Sequence, residues 1–192
     1  MIKIGITGII GTGKSVVSSI FQILGVPVYN ADYRAKLLMN NDKSIRNQII
    51  KNFGIESYSK NSLNTKHIAK EIFKNETNRQ IINSIVHPAV LQDFTIWSDN
   101  QNTDCCAIES ALIYEAGFEE ILDHIIMVKC PIELLLSRIM NRDGINEIEA
   151  KKRINSQTFN LDINLNPGFT ILNNEEESLI LQCIDIHKKI TQ

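Results

Sequence analysis

Eight residues near the start carry the most specific chemistry in the chain: Gly8-Ile9-Ile10-Gly11-Thr12-Gly13-Lys14-Ser15. The pattern G-x-x-x-x-G-K-[ST] marks a phosphate-binding loop when a strand runs into it and a helix runs out of it. Both flanks meet that condition. Glycines let successive backbone N–H groups turn toward an anion, and the N-terminus of the following helix adds its dipole. The residue types then suggest roles. The stretch Gly11, Thr12, Gly13, Lys14, Ser15 and Val16 is the nucleotide cradle. Lys14 reaches the β- and γ-phosphates of ATP, and the Ser15 hydroxyl ligates Mg²⁺. A glycine-rich turn without a ligand gives no packing reason for Lys14-Ser15.

Other residues are candidates with a plainer alternative beside each. Asp32 follows the second strand, in Tyr29-Asn30-Ala31-Asp32. Ligands of open parallel sheets sit at such strand ends, so this carboxylate can accept a hydroxyl proton from an acceptor substrate. It also suits a helix N-cap. Arg138 and Arg142 are four apart on one helix face, with Arg153 on the next helix. They can close over a triphosphate. They equally suit a solvated face paired to Asp143, Glu147 and Glu149. Glu109 ends the third strand and can hold a metal-bound water on the substrate side, or be an exposed strand terminus. His87 is a core histidine, a cap or a substrate ligand. Arg79, eight residues earlier, either joins it in a pocket for an anionic substrate or is a surface charge.

The loop alone does not separate kinases from other nucleotide-binding enzymes. No N-K-x-D base-reading motif is present, which argues against a GTPase. The third strand ends in Glu109 rather than in the aspartate of a motor ATPase. At 192 residues the chain has the size of small-molecule kinases.

These residues need elements to hold them. Residues 2–7 read as a buried first strand, and 14–24 as a helix stopped by Gly25. Residues 26–29 read as a second strand, 31–52 as helical and 53–65 as a loop. Helices follow over 65–74 and 77–100, the latter interrupted at His87-Pro88 because the ring disfavours helical geometry in the residue before it. Residues 105–109 are a third strand, 117–123 a short helix and 124–129 a fourth strand. A helix over 132–141 precedes a turn at Asp143-Gly144. The helix over 146–158 is capped by Asn146, with Glu149 at N3. Residues 169–172 are the fifth strand. A helix over 175–190 closes the chain, with Glu175, Glu176 and Glu177 in its first turn. Strands separated by helices imply an α/β fold with a parallel sheet and right-handed crossovers. The long helical stretch between the second and third strands exceeds what a crossover needs and predicts a protruding subdomain.

Composition narrows the class further. Hydrophobic residues are 43%, charged residues 22% and the formal net charge is -2. That is ordinary for a globular protein, and the totals do not point to nucleic-acid binding through a basic surface, although they leave room for a local patch. No apolar run reaches about 18 residues, so no membrane span is expected. The motif begins within ten residues of the start, so a cleaved secretion signal is excluded and a cytoplasmic location expected. Cys105, Cys106, Cys130 and Cys183 form no C-x-x-C pair and read as reduced, buried thiols.

In its motifs the chain resembles the dephospho-CoA kinase family over nearly its whole length. The resemblance rests on Thr7 to Ser15, Asn30-Ala31-Asp32, Ile85-Val86-His87-Pro88, Ala111-Leu112-Ile113-Tyr114-Glu115, Arg138 with Arg142-Asp143-Gly144, Glu149-Ala150 with Arg153-Ile154 and Gln157, and Asn173-Asn174. The His-Pro, Arg-Asp-Gly and Arg-Ile-x-x-Gln pieces are the specific ones. The resemblance implies a single P-loop kinase domain over 1–192: a three-layer α/β/α fold with a five-stranded parallel sheet, a helical coenzyme A subdomain over about 60–100 and a lid over about 141–165. It implies transfer of the ATP γ-phosphate to the ribose 3′-hydroxyl of dephospho-coenzyme A, with Mg²⁺, by a monomer that needs neither nucleic acid nor membrane. Asp32 matches the family's acidic residue beside the acceptor ribose, Arg142 a lid arginine near ATP, and His87 the coenzyme A region. The chain departs from the family at Val16, Asn30, Lys36 and Ile163, where threonine, aspartate, arginine and a basic residue are usual. Other readings are a different small P-loop kinase, acting on a nucleoside or sugar, and a nucleotide-binding protein without turnover.

Overall fold

Ile4 and Ile6 are wholly shielded from solvent, because β1 (Ile2–Thr7) lies in the middle of a five-stranded sheet. The computed structural model describes residues 1–60, 62–158 and 168–192. The sheet also contains β2 (Val28–Asn30), β5 (Cys105–Glu109), β6 (His124–Lys129) and β7 (Phe169–Leu172), in the order β2-β5-β1-β6-β7. β1 pairs in parallel with β5 and with β6, and β6 in parallel with β7. β-branched runs suit strands buried on both faces. The alternation read from the sequence therefore gives the five-stranded parallel α/β sheet it implied.

The described residues form two compact units, one of Met1–Tyr29 with Asn100–Gln192 and one of Asn30–Asp99. In the first, α1 (Lys14–Ile23) and α8 (Leu179–Thr191) pack on the sheet. Val17, Phe21, Cys183, Ile186 and Ile190 meet Ile4, Ile6, Ile126, Val128 and Ile171 in one core. A second core joins α6 (Ile132–Asp143) to α7 (Glu147–Thr158) through Leu135, Ile139, Ala150 and Ile154. Ile9 and Ile10 of the glycine-rich loop pack against it.

The second unit holds α2 (Ala31–Asn41), α3 (Lys43–Phe53), a hairpin of β3 (Tyr58–Ser59) and β4 (Ser62–Leu63), α4 (Thr65–Lys74) and α5 (Glu76–Asp99). Arg34 donates two hydrogen bonds to Asp93, at 2.7 and 2.6 Å, tying α2 to α5. The Tyr58 hydroxyl donates to Met39 O at 2.7 Å. No helix among the described residues is long and apolar enough to cross a membrane.

Several local expectations are corrected. The stretch 31–52 is two helices, because the Asp42 carboxylate accepts from Ser44 N and Ile45 N at 2.7 and 3.0 Å and starts a new one. The stretch 53–65 contains a 3₁₀ turn (Ile55–Ser57) and the hairpin. α5 continues through His87-Pro88 without a break. Its buried stripe Ile82, Val86, Val90, Phe94 holds the helix on both sides of the ring, which outweighs the one hydrogen bond a proline removes. Asn30, not Asp32, caps α2, its Oδ1 accepting from Tyr33 N at 2.8 Å. The three glutamates precede α8. Asn174 Oδ1 accepts from Glu176 N and Glu177 N, Glu175 takes a left-handed φ of 68°, and Ser178 caps the helix. The strand over 26–29 is shifted to Val28–Asn30, and the short helix over 117–123 is a 3₁₀ turn at Phe118–Ile121. Cys105, Cys106 and Cys183 are buried, but Cys130 is only half-buried.

Candidate active site

The glycine-rich loop lies between β1 and α1, as its sequence requires. Gly11 and Gly13 have φ of +84° and +92°. Two positions are strict: at Gly8 a Cβ would run into the Val128 backbone oxygen, and Gly13 is the other. A Cβ there would lie 2.3 Å from the Asn173 side-chain nitrogen, so a bare backbone is needed for both conformation and space. No side chain caps α1 and no acidic residue sits in its first turn. The positive end of that helix dipole is left to an anion. Lys14 Nζ donates to Gly8 O at 2.8 Å and to Ile9 O at 3.2 Å, folding the ammonium over the loop. Thr12 is buried, and its hydroxyl donates to Ile9 O at 2.9 Å. Ser15 is exposed in the first turn of α1. Val16 is exposed, and its N–H donates to Gly13 O at 3.0 Å.

Asn173, Arg138 and Gln157 are tied to the loop by hydrogen bonds, and Glu109 ends the neighbouring strand. Glu109, half-buried, ends β5 in register with Ile6 of β1. Asn173, directly after β7, donates from its buried Nδ2 to Thr12 O at 2.8 Å. Arg138 of α6 donates to Asn173 Oδ1 (3.3 Å), Glu175 Oε1 (2.9 Å) and Cys130 Sγ (3.3 Å). The arginine is thus linked to the phosphate loop through one amide. Burial pushes the Cys130 thiol up, while Arg138 pulls it down. Finally, Gln157 of α7 accepts from Ile10 N at 2.6 Å.

Arg142 is held differently. Its Nε and Nη2 donate to Asp143 at 2.7 and 3.0 Å, and Arg153 pairs with the same carboxylate. The Arg142 hydrogen bond holds the Asp143 carboxyl below the usual aspartate range, against the effect of burial.

The remaining candidates belong to the second unit. Asp32 is exposed in the first turn of α2. Arg79 donates to Glu76 at 3.1 and 2.7 Å on its own helix. His87 is half-buried on α5. Eight residues separate the two, about 12 Å along a helix axis. Of the stretch 141–165, residues 159–165 and therefore Ile163 lie outside the described residues. The roles of Asn173 and Gln157 were not readable from spacing, since their loop partners are 161 and 147 residues away.

A phosphate loop between the first strand and first helix of a five-stranded parallel sheet is the arrangement of the P-loop nucleotide-binding fold. Solved structures agree on that fold. A dephospho-CoA kinase from Campylobacter jejuni superposes with a TM-score of 0.66 at 24% identity, covering 98% of this chain and 96% of that one. A shikimate kinase from Acinetobacter baumannii does so at 0.58 and 14%, covering 100% and 93%. Sequence comparison is more specific. The sequence model for CoaE, dephospho-CoA kinase, matches residues 2–178. A dephospho-CoA kinase of Bacteroides fragilis (strain YCH46) is 37% identical over 96% of this chain and 91% of its own. One from Porphyromonas gingivalis is 36% identical over 97% and 93%. The chain belongs to the dephospho-CoA kinase family.

Proposed function

We propose that this enzyme transfers the γ-phosphoryl group of ATP to the ribose 3′-hydroxyl of dephospho-coenzyme A, giving coenzyme A and ADP, the last step of coenzyme A synthesis. The observation that carries the reading is the anion cradle from Gly8 to Ser15, with Lys14 folded over it in a chain of this family. The loop amides and Lys14 bind the β- and γ-phosphates and oppose the charge that spreads over the transferring group. Ser15 Oγ, exposed beside an uncapped helix start, fits a Mg²⁺ ligand. A Mg²⁺ ion held there would supply positive charge to oppose that of the phosphates. Arg138 approaches the triphosphate from the loop side, and Arg142 from the lid stretch 141–165. Asp32 orients the acceptor hydroxyl and takes its proton as the new O–P bond forms and the bond to ADP breaks. It sits where the chain leaves β2, and acceptors of open parallel sheets dock at strand ends. Glu109 stands on the substrate side of the loop. The helical stretch 60–100, with His87 and Arg79, holds the coenzyme A moiety.

The test is mass detection of one added phosphate on dephospho-coenzyme A incubated with ATP, Mg²⁺ and pure protein. No acceptor-dependent product overturns the assignment. Lys14→Met should slow transfer by 10²–10³-fold, roughly the loss of one preorganised donor. Asp32→Asn with full kcat would remove Asp32 from the mechanism.

A further inference from the structure

The contact between Gln157 and the loop reaches further than one hydrogen bond. Gln157 lies three residues beyond Ile154, four beyond Arg153 and seven beyond Ala150, so these share a face of α7. Ala150 and Ile154 are buried against Leu135 and Ile139 of α6, and Ile9 and Ile10 pack on the same cluster. Gln157 ends this apolar stripe with a polar atom aimed at the loop backbone, its Oε1 2.6 Å from Ile10 N.

Ile10 N–H and Ile9 C=O belong to one peptide group, which is planar, so fixing one end fixes the other. The carbonyl end is busy. Ile9 O accepts from Lys14 Nζ at 3.2 Å, from the Thr12 hydroxyl at 2.9 Å and from Thr12 N at 3.3 Å. Gln157 therefore holds the reverse side of the plane that carries the lysine and the buried threonine. The three bonds at Ile9 O hold one end of this peptide, and Gln157 holds the other.

We propose that Gln157 is a positioning residue for phosphoryl transfer. It fixes the Ile9–Ile10 peptide plane, presets Lys14 over the phosphates and fastens the α6–α7 pair to the phosphate loop. The proposal rests on the role given to Lys14 above. It asks for no contact between Gln157 and either substrate.

Two variants separate this role from simple packing. Gln157→Met keeps the length and apolar stem but lacks a strong acceptor; Gln157→Ala removes both. Amide hydrogen exchange read by NMR should show Ile10 losing protection in both variants, with the Ala150–Ile154 amides unchanged in Gln157→Met. Nucleotide affinity, read by calorimetry without acceptor, and kcat/KM for ATP should both fall roughly tenfold in Gln157→Met, the scale of one lost hydrogen bond. KM for dephospho-coenzyme A should stay at the wild-type value. Wild-type ATP affinity in Gln157→Met overturns the proposal. So does faster exchange spread evenly along α7 with both KM values unmoved. Exchange and affinity are measured without acceptor. A wild-type protein inactive on dephospho-coenzyme A would thus sink the substrate assignment and leave this one to its own measurement.

Discussion

Gly13 is where conformation and packing coincide. Its φ of +92° puts an L-residue under about 1–2 kcal/mol of strain. A Cβ would also displace the Asn173 amide, which lies 2.3 Å from that position and donates to Thr12 O. Losing a buried donor adds about 1–3 kcal/mol. Gly25 is the control, since its φ of +88° carries the same strain while a Cβ there meets nothing within 4 Å. Gly13→Ala should therefore cost about 2 kcal/mol more than Gly25→Ala by denaturant unfolding, and it alone should abolish ATP binding. Equal costs would mean that Asn173 yields freely. At this scale the sequence was informative where a motif fixed a residue's place, as with Lys14 between the loop and α1. It marked Asn173 only as part of a family resemblance and gave it no role, because its bond to Thr12 O is a contact that only the folded sheet creates.

Elements were legible where one signal dominated. A β-branched run closing on a glycine located β1, and short apolar runs located β5, β6 and β7, because a strand buried on both faces admits few polar residues. Boundaries set by competing caps were not. Asp32, Asp42 and Asn30 are all good cap types, and which of them turns toward an N–H depends on local backbone geometry. Asp42 serves two amides, so Asp42→Ala should cost about 1 kcal/mol. Asn30→Asp should leave stability unchanged or raise it by a few tenths of a kcal/mol, because a carboxylate caps as well and suits the helix dipole. Thermal melts of the two variants would show whether the caps act as assigned. The apolar junction of α6 and α7 carries an ion-pair cluster at one end, with Asp143 between Arg142 and Arg153. Its carboxyl titrates lower in the folded chain than unfolded. The stabilisation is then present above the unfolded aspartate value of about 3.9 and is lost as pH falls through the lower folded value. The melting-temperature gap between wild type and Asp143→Asn should be constant from pH 8 to 6 and should narrow below about pH 4. A gap as wide at pH 3 as at pH 6 would remove the charge from this account.

The four cysteines report on the molecule as a whole. Burial pushes the Cys106 and Cys183 thiols up to about 11 and raises that of Cys105. Reaction needs a thiolate and access, so these three should label only when the core opens. Half-buried Cys130 should label first in the native protein. Cys106 lies on β5 and Cys183 on α8, in the unit that contains the phosphate loop. Anything that binds the folded loop but not the unfolded chain lowers the open population by 1 + [L]/Kd. ATP at a hundred times its Kd should then slow labelling of Cys106 and Cys183 by about a hundredfold. Lys14→Met, at the same ATP concentration, should lose most of that protection. The measurement is a time course of thiol alkylation in mild denaturant, resolved by peptide mass. If ATP slows Cys106 and Cys183 by different factors, the sheet and α8 open separately. If it slows neither while calorimetry shows binding, both thiols are reached by local openings that leave the phosphate loop intact.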